Sequence, residues 1–177
     1  MTISLAIDTS TSRTIVAAIE DGKVLFESFN EGATDHGKAL PELIAAALKV
    51  APKPERVVVG MGPGPFTGLR VGIIFARTFA FARGIDLKGV CSLDAIAIDQ
   101  SQYTVAVDAR RKEIYWASYK DGARVAGPSV NKPDEVADYI FDVYPDMQKL
   151  VELSYSQNET EPMYLRRPDA VPTAERA

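Results

Sequence analysis

The run Asp8-Thr9-Ser10-Thr11-Ser12 sets an acid and four hydroxyl side chains at the end of an apolar stretch. An acid at a strand end, followed by small hydroxyls in a tight turn, can hold a metal ion and a phosphate. Phosphate also needs bare backbone N–H groups within reach, which glycine usually supplies. Here Thr9 stands in that place. The pattern returns at Asp108, where Ala109, Arg110, Arg111 and Lys112 follow with side chains too long for close backbone approach. The other role open to Asp8 and Asp108 is to cap their own turns through bonds to nearby amides. The missing glycines favour that role.

A second candidate is GMGPGPFTGLR, residues 60–70. It lacks the Gly-Lys-Ser/Thr ending of a phosphate-binding P-loop and the spacing of a dinucleotide fingerprint. Pro63 and Pro65 also remove amide donors that an anion would use. A rigid strand-to-helix corner fits better, with Thr67 as the expected helix cap; a weak anion site at the helix start stays open. In the helix that follows, expected over 67–83 and stopped by Gly84, Gly68, Gly72, Ala76 and Ala80 recur every fourth residue. Each glycine costs up to about 1 kcal/mol against alanine, so close approach by another element should recover it. That element is either this chain's own sheet or another subunit, since Leu69, Ile73, Phe75 and Phe79 make the helix apolar nearly all round. Gly72→Arg is expected to abolish partner binding while leaving the circular dichroism spectrum native; unfolding would instead make the face internal.

Metal and nucleophile chemistry are poorly supplied. His36 is the sole histidine and Cys91 the sole cysteine, too few for a zinc site or a Ser-His-Asp triad. No internal disulfide can form, which suits a reducing compartment. Tyr103, Tyr115, Trp116 and Tyr119 read as packed strand residues, and no basic-aromatic platform for RNA stands out. No catalytic residue, cofactor or metal is expected.

The elements that must position these residues come from a chain of 177 residues, 46% hydrophobic and 25% charged, with net charge -4. That composition buries a core but lacks the clustered cations for unaided binding to nucleic acid or anionic membrane. The start has no basic segment before its apolar run, and the apolar stretch 71–82 is interrupted by Arg77 and too short to span a bilayer. A cytoplasmic protein is expected.

Residues 5–24 repeat at 105–124 without a gap: Ala6 over Ala106, Asp8 over Asp108, Ala17 over Ala117, Asp21-Gly22 over Asp121-Gly122. Each copy reads as strand, polar turn, strand, then an Asp-Gly hairpin turn. Two lobes with the same start follow, 1–101 and a shorter 102–177. In the first, 23–30 is a third strand, and Thr34 or Asp35 caps a helix carrying the stripe Leu40, Leu43, Ile44, Ala47 and Leu48, with its regular part beginning near Pro41. Arg56–Gly60 is a buried parallel strand, and 89–101 a turn plus a short helix capped at Ser92. In the second lobe, strands fall near 103–108, 113–119 and 123–127, and NKPDEVADYIFDVY (131–144) is predicted helical. The last ten residues read as a loose tail.

Together, LAIDTSTSR, His36 with Leu40-Pro41, GMGPGPFTGLRVGI, AVDARRKEIYWASY and EPMYLR resemble the TsaB (YeaZ) family. The likeness covers residues 3–120 and the late EPMYLR. The resemblance implies an α/β, two-lobed actin-like (ASKHA, RNase H-like) fold, with the second lobe shortened between Tyr144 and Glu161. It implies a non-catalytic partner of TsaD, the subunit that carries nucleotide and a metal held by two histidines on one helix. Leu40 stands four residues after His36, so that metal pair cannot form here. The implied role is to support a TsaD homologue in forming threonylcarbamoyladenosine on tRNA reading ANN codons. The ATPase TsaE joins the assembly, tRNA is met only indirectly, no membrane is involved, and a homodimer through the same surface is a second expected state. The expected interface lies on Leu40, Leu43, Ile44, Ala47, Gly68, Leu69, Gly72, Ile73, Ala76, Phe79 and Ala80. The competing readings are an actin-like ATPase or kinase using Asp8, Thr9 and Ser10 as a cofactor-binding turn, and, further off, a metalloprotease.

Overall fold

The computed structural model describes residues 2–32 and 34–166; the expected loose tail lies outside them. Three antiparallel strands open the chain: β1 (Ile3–Asp8), β2 (Arg13–Glu20) and β3 (Lys23–Glu31). Helix α1 (His36–Val50) leads to β4 (Arg56–Gly60), and helix α2 (Phe66–Arg83) to β5 (Asp86–Val90). The sheet order is β3-β2-β1-β4-β5, with β4 parallel to both β1 and β5. This is the first sheet of an actin-like lobe, as the resemblance implies.

Alternation in these strands divides the core in two. Leu5, Ile7, Val16, Val57 and Val59 meet Leu40, Ile44 and Ala47 of α1 and Leu69, Ile73, Ala76 and Ala80 of α2. Ala6, Ile15, Ala17, Ile19 and Val58 point the other way, as period-2 side chains must. A sheet with parallel strands needs both faces covered. The second cover is a helix near the end of the described chain, α3 (Met147–Leu153), through Met147, Leu150 and Val151. After building the second sheet the chain therefore returns to the first with α3.

That second sheet holds β6 (Gln102–Asp108), β7 (Ile114–Lys120), β8 (Ala123–Asn131) and β9 (Tyr139–Ile140) in the order β8-β7-β6-β9. The internal repeat is real in space, because β1, β2 and β3 correspond to β6, β7 and β8. Both Asp-Gly turns carry two left-handed residues, Asp21 and Gly22 at φ 45° and 84°, Asp121 and Gly122 at 50° and 79°, which suits a tight hairpin. The first turn differs between the copies. Asp8 faces Ile15, whereas Asp108 faces Ile114, so the second loop is one residue shorter.

Several local expectations are corrected. The stretch 131–144 forms one 3-10 turn (Pro133–Glu135) and then β9, which pairs in parallel with β6 at Thr104 and Val105. The open edge of β6 outweighs the helical periodicity. No helix forms directly after β5; residues 92–95 are successive turns, and the Ser92 hydroxyl donates to Asp8 rather than capping a helix. Helix α1 begins at His36, five residues before Pro41, and Asp35 caps it without a side-chain bond. Helix α2 begins at Phe66, so Thr67 lies inside it and caps nothing. Gly84 closes α2 in the left-handed conformation, as expected. Among the described residues no helix is long and apolar enough to cross a membrane.

Candidate functional site

The turn after β1 is sealed. Asp8, Thr9 and Ser10 are all at most 1% exposed. One Asp8 carboxylate oxygen accepts from the Ser10 amide (2.8 Å) and hydroxyl (2.7 Å), the other from the Ser92 hydroxyl (2.7 Å). The Thr9 hydroxyl donates to the Gly68 carbonyl at 2.8 Å. Asp108 accepts from the Arg110 amide at 2.7 Å. Both acids cap their own turns, the simpler of the two roles that the residues allowed.

The glycines explain the seal. A Cβ at Gly60 would run into the Asp8 carboxylate, at Gly64 it would come 2.5 Å from the Ser10 carbonyl, and at Gly72 it would collide with the Thr9 hydroxyl. At Gly68 it would lie 2.8 Å from the Thr9 carbonyl and 3.1 Å from His36 Nε2. The bare face thus lets the corner and α2 lie directly on the turn, in the space that phosphate would need. Close approach recovers the helix-propensity cost of the glycines, and the approaching element is this chain's own β1–β2 turn.

Burial raises the Asp8 carboxyl above its ordinary 3.8, with the Ser92 and Ser10 bonds opposing. A raised acid means the folded state binds more protons. Stability is then greatest below about 3.8 and falls as pH climbs through the folded value. We therefore expect Asp8→Asn, which keeps an acceptor for Ser10 and offers a donor to Ser92, to be at least as stable as the parent at pH 7. Relief of an unpaired buried charge should add about 1 kcal/mol, a rise of roughly 2–4 °C in Tm for a chain this size. The gain should vanish near pH 3.5. Thermal melts at the two pH values check it, and a loss of several degrees at pH 7 would show that the carboxylate charge is needed.

His36 is buried, its Nδ1 2.8 Å from the Thr14 hydroxyl. Burial lowers its pKa, partly offset by Asp8. Cys91 is fully buried and its thiol is pushed up to about 12, chiefly by burial, so it is a poor nucleophile. Among the described residues no three of His, Cys, Asp and Glu gather where a metal could sit.

The expected interface residues are mostly core. Leu40, Ile44, Ala47, Gly68, Leu69, Gly72, Ile73, Ala76 and Ala80 are buried against β1, β2, β4 and the turn, and only Leu43 and Phe79 are half-exposed. A side chain buried in its own fold cannot also meet a partner, so the two helices stay candidates while the residues on them change. Between α1 and α2 an open groove of about 570 Å³ is lined by Gly37, Pro41, Phe66, Arg70, Ile74 and Thr78, with Leu40 at its floor. Phe66 and Ile74 are each more than half exposed, and one side of α2 presents them eight residues apart with Arg70 midway between. The sequence alone does not single these two out, since Leu69 and Ile73 of the same helix are as apolar and yet are buried.

Comparison with known proteins follows the same line. Residues 29–170 match the model for "TsaD: tRNA N6-adenosine threonylcarbamoyltransferase". An uncharacterized protein of Mycobacterium leprae is 38% identical over 204 aligned residues, covering 97% of this chain and 57% of its own. TsaB of Bacillus subtilis, named a tRNA threonylcarbamoyladenosine biosynthesis protein, is 31% identical over 128, covering 68% of this chain and 56% of its own. The chain thus spans a little over half the length of these two relatives. The solved structure of YeaZ from Pseudomonas aeruginosa superposes with a TM-score of 0.77 at 22% identity, over 93% of this chain and 100% of that one, which shows a shared fold. With residues 29–170 of this chain matched by the family model and TsaB relatives 31% identical to it, the chain belongs to the TsaB (YeaZ) family, within the broader group that the TsaD model describes.

Proposed function

We propose that the chain is a non-catalytic subunit that docks a TsaD-type catalyst in the α1–α2 groove and supports threonylcarbamoyladenosine formation on tRNA reading ANN codons. The observation that carries this is the contrast between two sites on one lobe. The turn that would grip nucleotide is filled by glycine-backed protein, whereas no described residue covers the adjacent apolar groove. Exposed apolar side chains rimmed by polar ones, here Phe66 and Ile74 with Arg70 and Thr78, mark interaction surfaces. The names of the TsaB relatives supply the pathway. In this reading the ATPase TsaE joins the pair, tRNA is contacted through the partner, a second copy of the chain can occupy the groove when the partner is absent, and the setting is the cytoplasm.

Two titration calorimetry experiments on the isolated chain test it. With the TsaD homologue of the same organism we expect saturable one-to-one binding in the micromolar range or tighter. With magnesium and ATP we expect no binding. Micromolar ATP affinity would revive the ATPase reading, and no heat with the TsaD homologue would remove the docking proposal.

A further inference from the structure

Residues 157–166 form a strap that touches both lobes. It begins at Asp94, whose carboxylate accepts from Tyr119 (2.8 Å), Arg124 (3.1 Å) and Gln157 (3.4 Å). It then follows the outer edge of β5. The Gly89 amide donates to Asn158 Oδ1 at 3.2 Å, and the Glu159 amide donates to the Gly89 carbonyl at 2.8 Å. Gly89 must be bare here, because a Cβ would collide with the Glu159 carbonyl. Arg77 of α2 donates to the Thr160 carbonyl at 2.7 Å, and the Met163 amide to the Met61 carbonyl at 2.8 Å. Met163 and Leu165 pack into the core of the second sheet.

The ends of this path matter most. The Tyr164 ring lies 4.9 Å from that of Phe66, at the rim of the groove. Two residues on, Arg166 reaches the β6–β7 turn, donating to the Arg110 carbonyl at 3.3 Å and pairing with the Glu113 carboxylate. In that turn Arg110, Arg111 and Lys112 stand at φ 64°, 54° and 62°, three consecutive non-glycine residues in the left-handed region. Such residues cost about 1–2 kcal/mol each, so the turn needs outside support to hold its shape.

We propose that the strap is a clasp coupling the α1–α2 groove to the β6–β7 turn, so that a partner seated on Phe66 changes the conformational freedom of residues 109–113. This rests on the docking reading above. Tyr164 and Arg166 are at most about 7 Å apart along the chain, too short a span to absorb movement at Phe66. The strained turn is the element with two states, held or relaxed, that both ends bias. By linkage, loosening the turn must weaken docking by the same factor that docking tightens the turn.

Hydrogen exchange read by mass spectrometry tests this, first on the free chain. Tyr164→Ala and Arg166→Met should each speed exchange of the Ala109 and Glu113 amides, which close the turn at 2.9 and 3.1 Å, by about tenfold. Exchange in α1 and α2 should stay at the parent's level, which confirms that both variants fold. The Tyr164 ring packs on Phe66 at the groove, so unchanged exchange at the turn in Tyr164→Ala overturns the clasp. With the TsaD homologue bound, the parent should gain protection at 109–113 and Arg166→Met should not, binding about threefold to tenfold more weakly. Binding without that protection also overturns it. A parent chain that fails to bind at all removes the docking reading alone, because exchange in the free chain still decides whether Tyr164 governs the turn.

Discussion

Gly72→Arg is expected to lose the native far-UV spectrum and the cooperative melt, not merely a binding partner. The first atom added at this position collides with the Thr9 hydroxyl and lies 3.2 and 3.3 Å from its Cγ2 and Cβ. Thr9 cannot withdraw, since it is 1% exposed and its hydroxyl holds the Gly68 carbonyl. Overpacking of this kind costs about 1–3 kcal/mol, and a guanidinium forced among buried groups without a partner adds about 3–5. The total rivals the roughly 5–15 kcal/mol that holds a whole domain together. Circular dichroism and a thermal melt decide it. Thr78→Arg, one and a half turns further along α2 and exposed, is the control and should melt within a degree or two of the parent, as surface changes usually do. A folded Gly72→Arg would mean that α2 stands off the turn and that its bare face is open to partners after all.

That choice marks how far the sequence could carry the reading. A glycine and alanine repeat every fourth residue announces close approach, but nothing local says whether the neighbour is Thr9 or another chain. The strand-turn-strand copies were legible because their information is local: β-branched residues for the strands, and Asp-Gly for turns that need two positive φ values. The Asp8 cap was legible for the same reason, since Ser10 lies only two positions after Asp8. Ser92 was misread as a helix cap because its partner, Asp8, lies 84 residues away. The stretch 131–144 was misread because Asp134, Glu135 and the spaced apolar residues imitate a helix start, while the deciding factor is the unpaired edge of β6. Asp138 and Asp142, at φ 49° and 56°, flank the short strand that takes that edge. The same limit applies to α2, where most of the residues expected at an interface are buried in the chain's own core. Leu69 and Ile73 are as apolar as Phe66 and Ile74, and only the assembled sheet decides which pair it buries.

Ile74→Arg should therefore do what was first expected of Gly72→Arg: leave the fold intact and abolish docking. Ile74 is 52% exposed and sits mid-groove with Arg70 one turn before it and Thr78 one turn after. In the free chain a new arginine there can extend into water, so Tm should move by no more than the change for Thr78→Arg. In the complex the same side chain would be driven into an apolar contact beside another cation. Central interface residues commonly contribute 2 kcal/mol or more, and a buried charge repelled by Arg70 should exceed that, so affinity for the TsaD homologue should fall by at least about thirtyfold. Calorimetry on Ile74→Arg and on Val125→Arg, an exposed site on β8 of the other sheet, reads the difference. If both variants bind within threefold of the parent, the groove is not where the partner sits. The opposite result would tie docking to the very face that α2 is left with once its glycines have closed over the β1–β2 turn, and would give the glycines a double effect: they let α2 lie on that turn, and by doing so they help fix which large side chains remain outside to be recognised.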